Sequence, residues 1–201
     1  METFLFNAET LCPASAEAVG AGSLFALAPG RGLLVHREGG GTLHAYAQLK
    51  KHRDWFTGFD ITDAVALTAR VAREFDGWAP ALTALITESN TPPALRPILT
   101  LSAGHRWDRV PGVTLLGDAA DFRAPNGQGA NLACRTAPNS AEPAVVEHPG
   151  DAETALTTHE QAMFTRAAAA EADDDGFYTI VIDDQAPHSL LVAMTGAEPN
   201  A

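Results

Sequence analysis

Between residues 23 and 50 the apolar positions come in short runs, SLFALAP and then RGLLVHREGGGTLHAYAQLK, broken by glycine and proline, with Thr42 to Leu49 alternating in part. β-Strands leave runs of this length and spacing, so strands are expected near 23–28, 32–37 and 42–50. The three glycines at 39–41 separate two of them closely enough for a hairpin, because glycine tolerates the positive φ of its turn. After HRDWF the period lengthens. Thr62 can cap a helix, and Val65, Leu67, Ala69, Val71, Ala72 and Phe75 fall largely on one side at helical spacing, predicting a helix over 62–75. Leu82, Leu85 and Ile86 predict a second short helix over 78–86, which ends before Pro92 and Pro93.

Further on, ALRPILTLSAG (94–104) reads as a strand. GVTLLGDAA (112–120) reads as another, whose nearly continuous apolar run implies burial on both faces at the centre of the fold. Pro138 and Pro143 limit a helix starting at Ala130 to two or three turns. A longer helix is expected from about Asp151 to Ala172, with Leu156, Met163, Phe164 and Ala167 as its apolar stripe, followed by FYTIVI (177–182) as a last strand or buried extended segment. The pattern predicts an α+β fold, a mixed and largely antiparallel sheet covered by helices. No linker is long enough to separate two full domains, so residues 1–201 are expected to form one domain, with sheet and helices over 20–112 and a glycine-rich bend plus C-terminal helices over 113–195.

Composition narrows the field. Of 201 residues, 46% are hydrophobic, enough for a sizeable core, and 25 acidic against 13 basic residues leave a net charge of -12. That charge repels phosphate backbones and anionic lipid, so neither nucleic acid nor a membrane surface is expected as a partner. No run approaches the length of a membrane span and the first residues lack the basic start of a leader, while Cys12 and Cys134 stand far apart without a CxxC and read as ordinary thiols, a single bridge between them being the alternative. These features point to a reducing, cytoplasmic setting.

The common catalytic and cofactor motifs are missing. GxGxxG does not occur: Gly20/Gly22 and Gly30/Gly32 supply only its first two positions, and both pairs precede strands rather than opening a helix. There is no GxxxxGK[ST] and no GxSxG. None of the seven histidines is at HxH or HxxxH spacing, and HEQAM at 159–163 lacks a second histidine for one helix face, so no metal site is assigned and His159 is expected to be a solvated helix residue.

One stretch remains, GDAADFRAPNGQGANLA at 117–133, with three glycines and almost nothing to bury. A strand ending in LLGDAA, followed by a proline and GQGAN opening a helix, resembles the second flavin-contact motif of the FAD-dependent aromatic hydroxylases. GTLHAYAQLKKHRDW, EFDGWAPALTALI and HEQAMF are similar, in the same order, to segments of their tetracycline destructase-like branch. The similarity extends over roughly residues 20–195, the substrate-domain portion, without the N-terminal dinucleotide-binding half. It implies that Gly117, Asp118, Pro125, Gly127, Gln128, Gly129 and Asn131 contact FAD, Asp118 on the ribityl chain, and backbone N–H groups at a helix N-terminus do favour an anion. It further implies that Val35, His36, Arg37 and His44 line the wall of a cavity for flat polycyclic substrates. Departures accompany the match: Asp121 stands where a histidine is common, and Pro138 and Pro143 interrupt the helix after ANLA.

The resemblance therefore implies the substrate-binding part of a flavin-dependent monooxygenase acting on a hydrophobic polycyclic aromatic or polyketide-type molecule. FAD would bind weakly or not at all to this chain alone, with the nucleotide domain supplied in trans, and no residue of the chain need act as a catalytic acid or base. A different class fits the same residues: a flavin-independent protein of that ancestry that binds, or folds and cyclises, such a molecule by shape. Surface left by the absent half would favour a homodimer or a partner chain.

Overall fold

The computed structural model describes residues 1–102, 104–120, 146–172 and 180–196. They divide into two compact units, Met1–Pro97 with Thr179–Ala201, and Ile98–Tyr178.

A four-stranded sheet organises the first unit. Its strands are β1 (Glu2–Leu5), β2 (Ser23–Ala28), β3 (Arg31–Glu38) and β4 (Thr42–Leu49), in the order β1-β4-β3-β2. All three pairings are antiparallel. The class is thus α+β, as the sequence pattern predicts. The glycine turn does what was expected of it, since Gly40 and Gly41 both take positive φ, 71° and 72°, which closes β3 onto β4 with Glu38 opposite Thr42 and His36 opposite His44. β1 is an unforeseen strand of four residues. Its outer side is tied down by backbone bonds between Glu2 and Ala94 (2.8 and 3.0 Å) and from the Asn90 N–H to the Phe4 carbonyl (3.0 Å).

The helices α1 (Ala8–Leu11), α2 (Pro13–Val19), α3 (Ala64–Arg73) and α4 (Pro80–Thr87) follow the first-unit strands in the chain or lie between them. α2 packs on β2 and β3, and α4 packs on α2, α3, β1 and β4. Strand alternation turns Leu5, Leu33, Val35, Leu43, Ala45 and Ala47 toward these helices, where they meet Val19, Leu67, Val71, Phe75, Leu85 and Ile86 in one core. Each large apolar side chain fully buried there contributes about 1.5–3 kcal/mol. Thr3, the buried polar exception in β1, donates to the Leu85 carbonyl at 3.0 Å.

α3 is capped by Asp63 rather than Thr62. The Asp63 carboxylate accepts from the N–H groups of Val65 and Ala66, both at 3.0 Å, while Thr62 is engaged with Asp60 through its N–H and hydroxyl. A carboxylate at this position gains additionally from the helix dipole. α4 opens on Pro80, which suits a first turn that needs no N–H.

In the second unit α5 (Ala152–Ala172) is the principal element. Asp151 precedes it and accepts from the Thr154 N–H and hydroxyl. Among its described side chains the buried ones are Ala155, His159, Glu160 and Met163, so His159 is not the solvated residue the sequence suggested. Among the described residues, the strands expected at 94–104 and 112–120 are not formed beyond the isolated bridges Glu2–Ala94 and Val110–Val113. Ile98, Leu99, Val110 and Val113 are each at least half exposed. Pro111 and Gly112 make a turn closed by the Val113 N–H on the Val110 carbonyl, and the Arg109 guanidinium takes the carbonyls of Val110 and Val113 that a sheet would have used. Glu153 of α5 holds that turn by accepting from Arg109 (2.8 Å) and from the Gly112 N–H (2.7 Å). Residues 180 and 181 are helical rather than extended, and α6 (His188–Thr195) ends the described chain on Gly196 at φ 65°.

Candidate functional site

Strand alternation divides the four substrate contacts expected from the sequence. Val35 faces the helices and is 2% exposed, a core residue. Arg37, two positions on, faces the same way, and its guanidinium closes the C-terminal end of α2 by donating to the carbonyls of Gly20 (2.5 Å) and Ala16 (2.7 Å) and pairing with Glu9. His36 and His44 lie on the opposite face of the sheet, and the register brings them directly across from each other.

Around these two histidines the strands assemble a row of rings. Phe4 of β1 stands opposite His44 in the β1–β4 register. Its ring stacks on the imidazole at 4.0 Å between centroids and 24° between planes, and Phe6 continues the stack at 6.2 Å and 14°. Tyr46 lies 4.5 Å from His44 on the other side, and His36 lies 4.8 Å away. Period-two alternation along β4 and the pairing with β1 and β3 are sufficient to place all of them on one face.

Carboxylates complete the cluster. Nδ1 and Nε2 of His44 each lie 2.9 Å from a carboxylate oxygen, of Glu38 and Glu2 respectively, and His36 Nε2 lies 3.3 Å from the same Glu38 oxygen. Arg96 donates to the second Glu2 oxygen at 2.9 Å. Burial pushes the Glu2 carboxyl up, but the hydrogen bonds from Arg96 and His44 outweigh it and hold the group below its ordinary value. Glu38, at the strand end, is held low chiefly by the hydrogen bond with His44 and then by His36. Neither glutamate was singled out from the sequence. His36 and Glu38 sit at i and i+2 of β3, and only the hairpin register, not linear spacing, adds His44.

No protein-family model matches the chain, and no curated protein matches it.

For the flavin, two of the seven positions implied by the resemblance are described. Gly117, at φ 62°, opens a 3₁₀ turn over Gly117–Ala119, and glycine suits its left-handed backbone. Asp118 is exposed on that turn and fits as an acceptor for polyol hydroxyls. Pro125, Gly127, Gln128, Gly129 and Asn131 lie outside the described residues, as does Asp121.

Proposed function

We propose that this chain binds a flat polycyclic aromatic or polyketide-type small molecule against the ring-bearing face of its sheet, as the substrate-binding part of a flavin-dependent monooxygenase-like protein. The single observation that carries the reading is the Phe6–Phe4–His44–Tyr46 row with His36 beside it. Rings already offset-stacked or tilted against one another offer a flat ligand a further layer, each such contact adding about 0.5–1.5 kcal/mol beyond area burial. His36 and Glu38, with side chains 43% and 42% exposed, supply polar contacts for phenolic or enolic hydroxyls at the rim. Few precisely placed polar groups on an aromatic wall is the usual composition of a small-molecule site.

FAD, where present, would supply the oxygen-activating chemistry. The residues of this chain that would hold it are those of the glycine-rich bend, with Asp118 on the ribityl hydroxyls. The flavin part of the proposal rests on the sequence resemblance. Ligand binding rests on the sheet face.

A flavin-independent binding or cyclising protein of the same ancestry is favoured by one observation: Val113 to Leu116, the segment leading into the bend, runs outside any named strand, with Val113 and Leu116 exposed. Titration with 1,8-dihydroxyanthraquinone tests the shared core of both readings through tryptophan fluorescence and melting temperature. Saturable binding, weakened about three- to tenfold by Tyr46→Ala and by His36→Ala, is the expected result. Absence of binding, or binding indifferent to both substitutions, overturns it. A yellow complex after adding FAD, and oxidation of a reduced nicotinamide, select the monooxygenase part; a colourless protein that still binds the anthraquinone selects the flavin-independent one.

A further inference from the structure

We propose that His36, Glu38 and His44 form a binding site for a zinc-class divalent transition metal on the face of the β3–β4 hairpin. Their ligating atoms all lie within 4.8 Å of one another. A tetrahedral ion with bonds of about 2.0–2.1 Å keeps its ligand atoms about 3.3–3.4 Å apart. His36 Nε2 and Glu38 Oε1 are already 3.3 Å apart, and His44 Nδ1 and Glu38 Oε1, at 2.9 Å, need to separate by only about 0.4 Å to match. The remaining gap, between the imidazoles, closes by rotation of His36, whose side chain is half exposed.

The surroundings are those of a metal site. His44 is 8% exposed and its ring is fixed by the Phe4 stack. With Nδ1 directed at the ion, Nε2 carries the proton and donates it to Glu2 at 2.9 Å. Glu2 is itself held by Arg96 and its side chain is 14% exposed. A ligating imidazole whose second nitrogen donates to an anchored carboxylate is the arrangement that raises ligand basicity and fixes the tautomer in metalloproteins. Binding puts the ion where His44 Nδ1 and Glu38 Oε1 now meet at 2.9 Å. Glu38 stands at the exposed strand end beside Gly39, which supplies the entry path. Two imidazoles and one carboxylate suit zinc, cobalt or nickel rather than calcium or magnesium, which take oxygen. Three protein ligands leave a position for water or a ligand oxygen, as in exchangeable and catalytic sites.

Metal alone tests this, so the outcome is independent of whether an aromatic ligand binds. The full chain, stripped with chelator, is titrated with Co²⁺ in the visible range and with Zn²⁺ by calorimetry. The expected result is one equivalent per chain with micromolar or tighter affinity and the intense visible band of tetrahedral cobalt. Glu2→Gln should weaken binding about tenfold, and His36→Ala and Glu38→Gln, both at half-exposed positions, more than that. Circular dichroism on each variant confirms a wild-type fold, and His52→Ala, which alters an exposed His–Asp pair elsewhere, should leave binding unchanged. No saturable binding below about 1 mM zinc, or wild-type affinity in folded His36→Ala and Glu38→Gln, overturns the proposal.

Discussion

Replacing Arg37 by methionine separates two roles that the sequence alone does not distinguish. On the structure, the guanidinium holds α2 to the sheet, and methionine keeps the aliphatic stem while removing every donor. The bond to the Ala16 carbonyl is partly buried and, being charge-assisted, contributes about 1.5 kcal/mol. Ala16 retains a second partner, the Gly20 N–H at 3.1 Å, which limits the loss. The Gly20 contact is exposed and the Glu9 side chain is 56% exposed, so together they add about 0.5–1 kcal/mol. Loss of about 2 kcal/mol lowers the melting temperature of a chain this long by about 4–8 °C. Thermal unfolding followed by tryptophan fluorescence reads it, with Glu9→Gln expected to account for less than about 1 kcal/mol. Anthraquinone affinity, measured well below the transition, should be unchanged. A variant of wild-type stability whose ligand affinity has dropped tenfold would show that Arg37 reaches the ligand and that the assignment of sheet faces is wrong.

Leu43, wholly buried in β4, should cost about 2.5–5 kcal/mol when changed to alanine, read by urea unfolding. Glu74 accepts from Trp55 at 2.8 Å and pairs with Lys51; burial raises its carboxyl, but these bonds and the charges of Lys51 and Arg31 outweigh it and hold the group below 4.5. Its folded value is thus lower than its unfolded one, so its stabilisation is present above about pH 4.5 and lost as pH falls below that, and Glu74→Gln should flatten the acid limb of a stability–pH curve. In the hairpin, Gly41→Ala should cost about 1–3 kcal/mol, since its φ is 72° and a Cβ would lie 2.5 Å from Glu9 Oε2. Gly40→Asn, with open space around it, should stay within about 0.5 kcal/mol by the same thermal assay. Asp63→Ala should cost about 1 kcal/mol through the lost cap of α3, checked by helicity and melting temperature.

The β3–β4 hairpin was legible because three signals agree there: two apolar runs, a glycine turn between them, and a spacing that leaves no room for another connection. β1 was not, because Glu2 to Leu5 is only four residues whose two polar and two apolar side chains do not alternate, and its pairing with β4 depends on contacts some forty residues away. The run at 113–116 failed as a strand for a different reason. Apolar content measures a preference for burial, whereas a ladder needs partners for its carbonyls, and the first carbonyl of the run, that of Val113, is taken by Arg109 instead. His159 is polar yet buried, because its stripe with Ala155 and Met163 is the inward one, and polarity alone does not report exposure. At the site, His36 and His44 were picked out one by one, and Val35 and Arg37 with them, because a list of strand residues does not sort itself by face. Metal-ligand spacings such as HxH and HxxxH lie within a single strand or helix. Across this turn, facing residues have numbers that sum to 80, as 36 and 44 do, and that relation needs the register before it means anything.

The three-glycine turn has a consequence for how this molecule tolerates insertions and deletions. One extra residue there, with the register kept on the β3 side, would invert β4 as a reading frame is shifted: Leu43, Ala45 and Ala47 would turn outward, and His44 and Tyr46 would be driven into the apolar interior. A two-residue insertion would restore the facing pattern while sliding His44 past His36. Loop variants of odd and even length should therefore differ sharply in soluble yield, so that this connection, though it touches no ligand, sets which changes of length the lineage can accept.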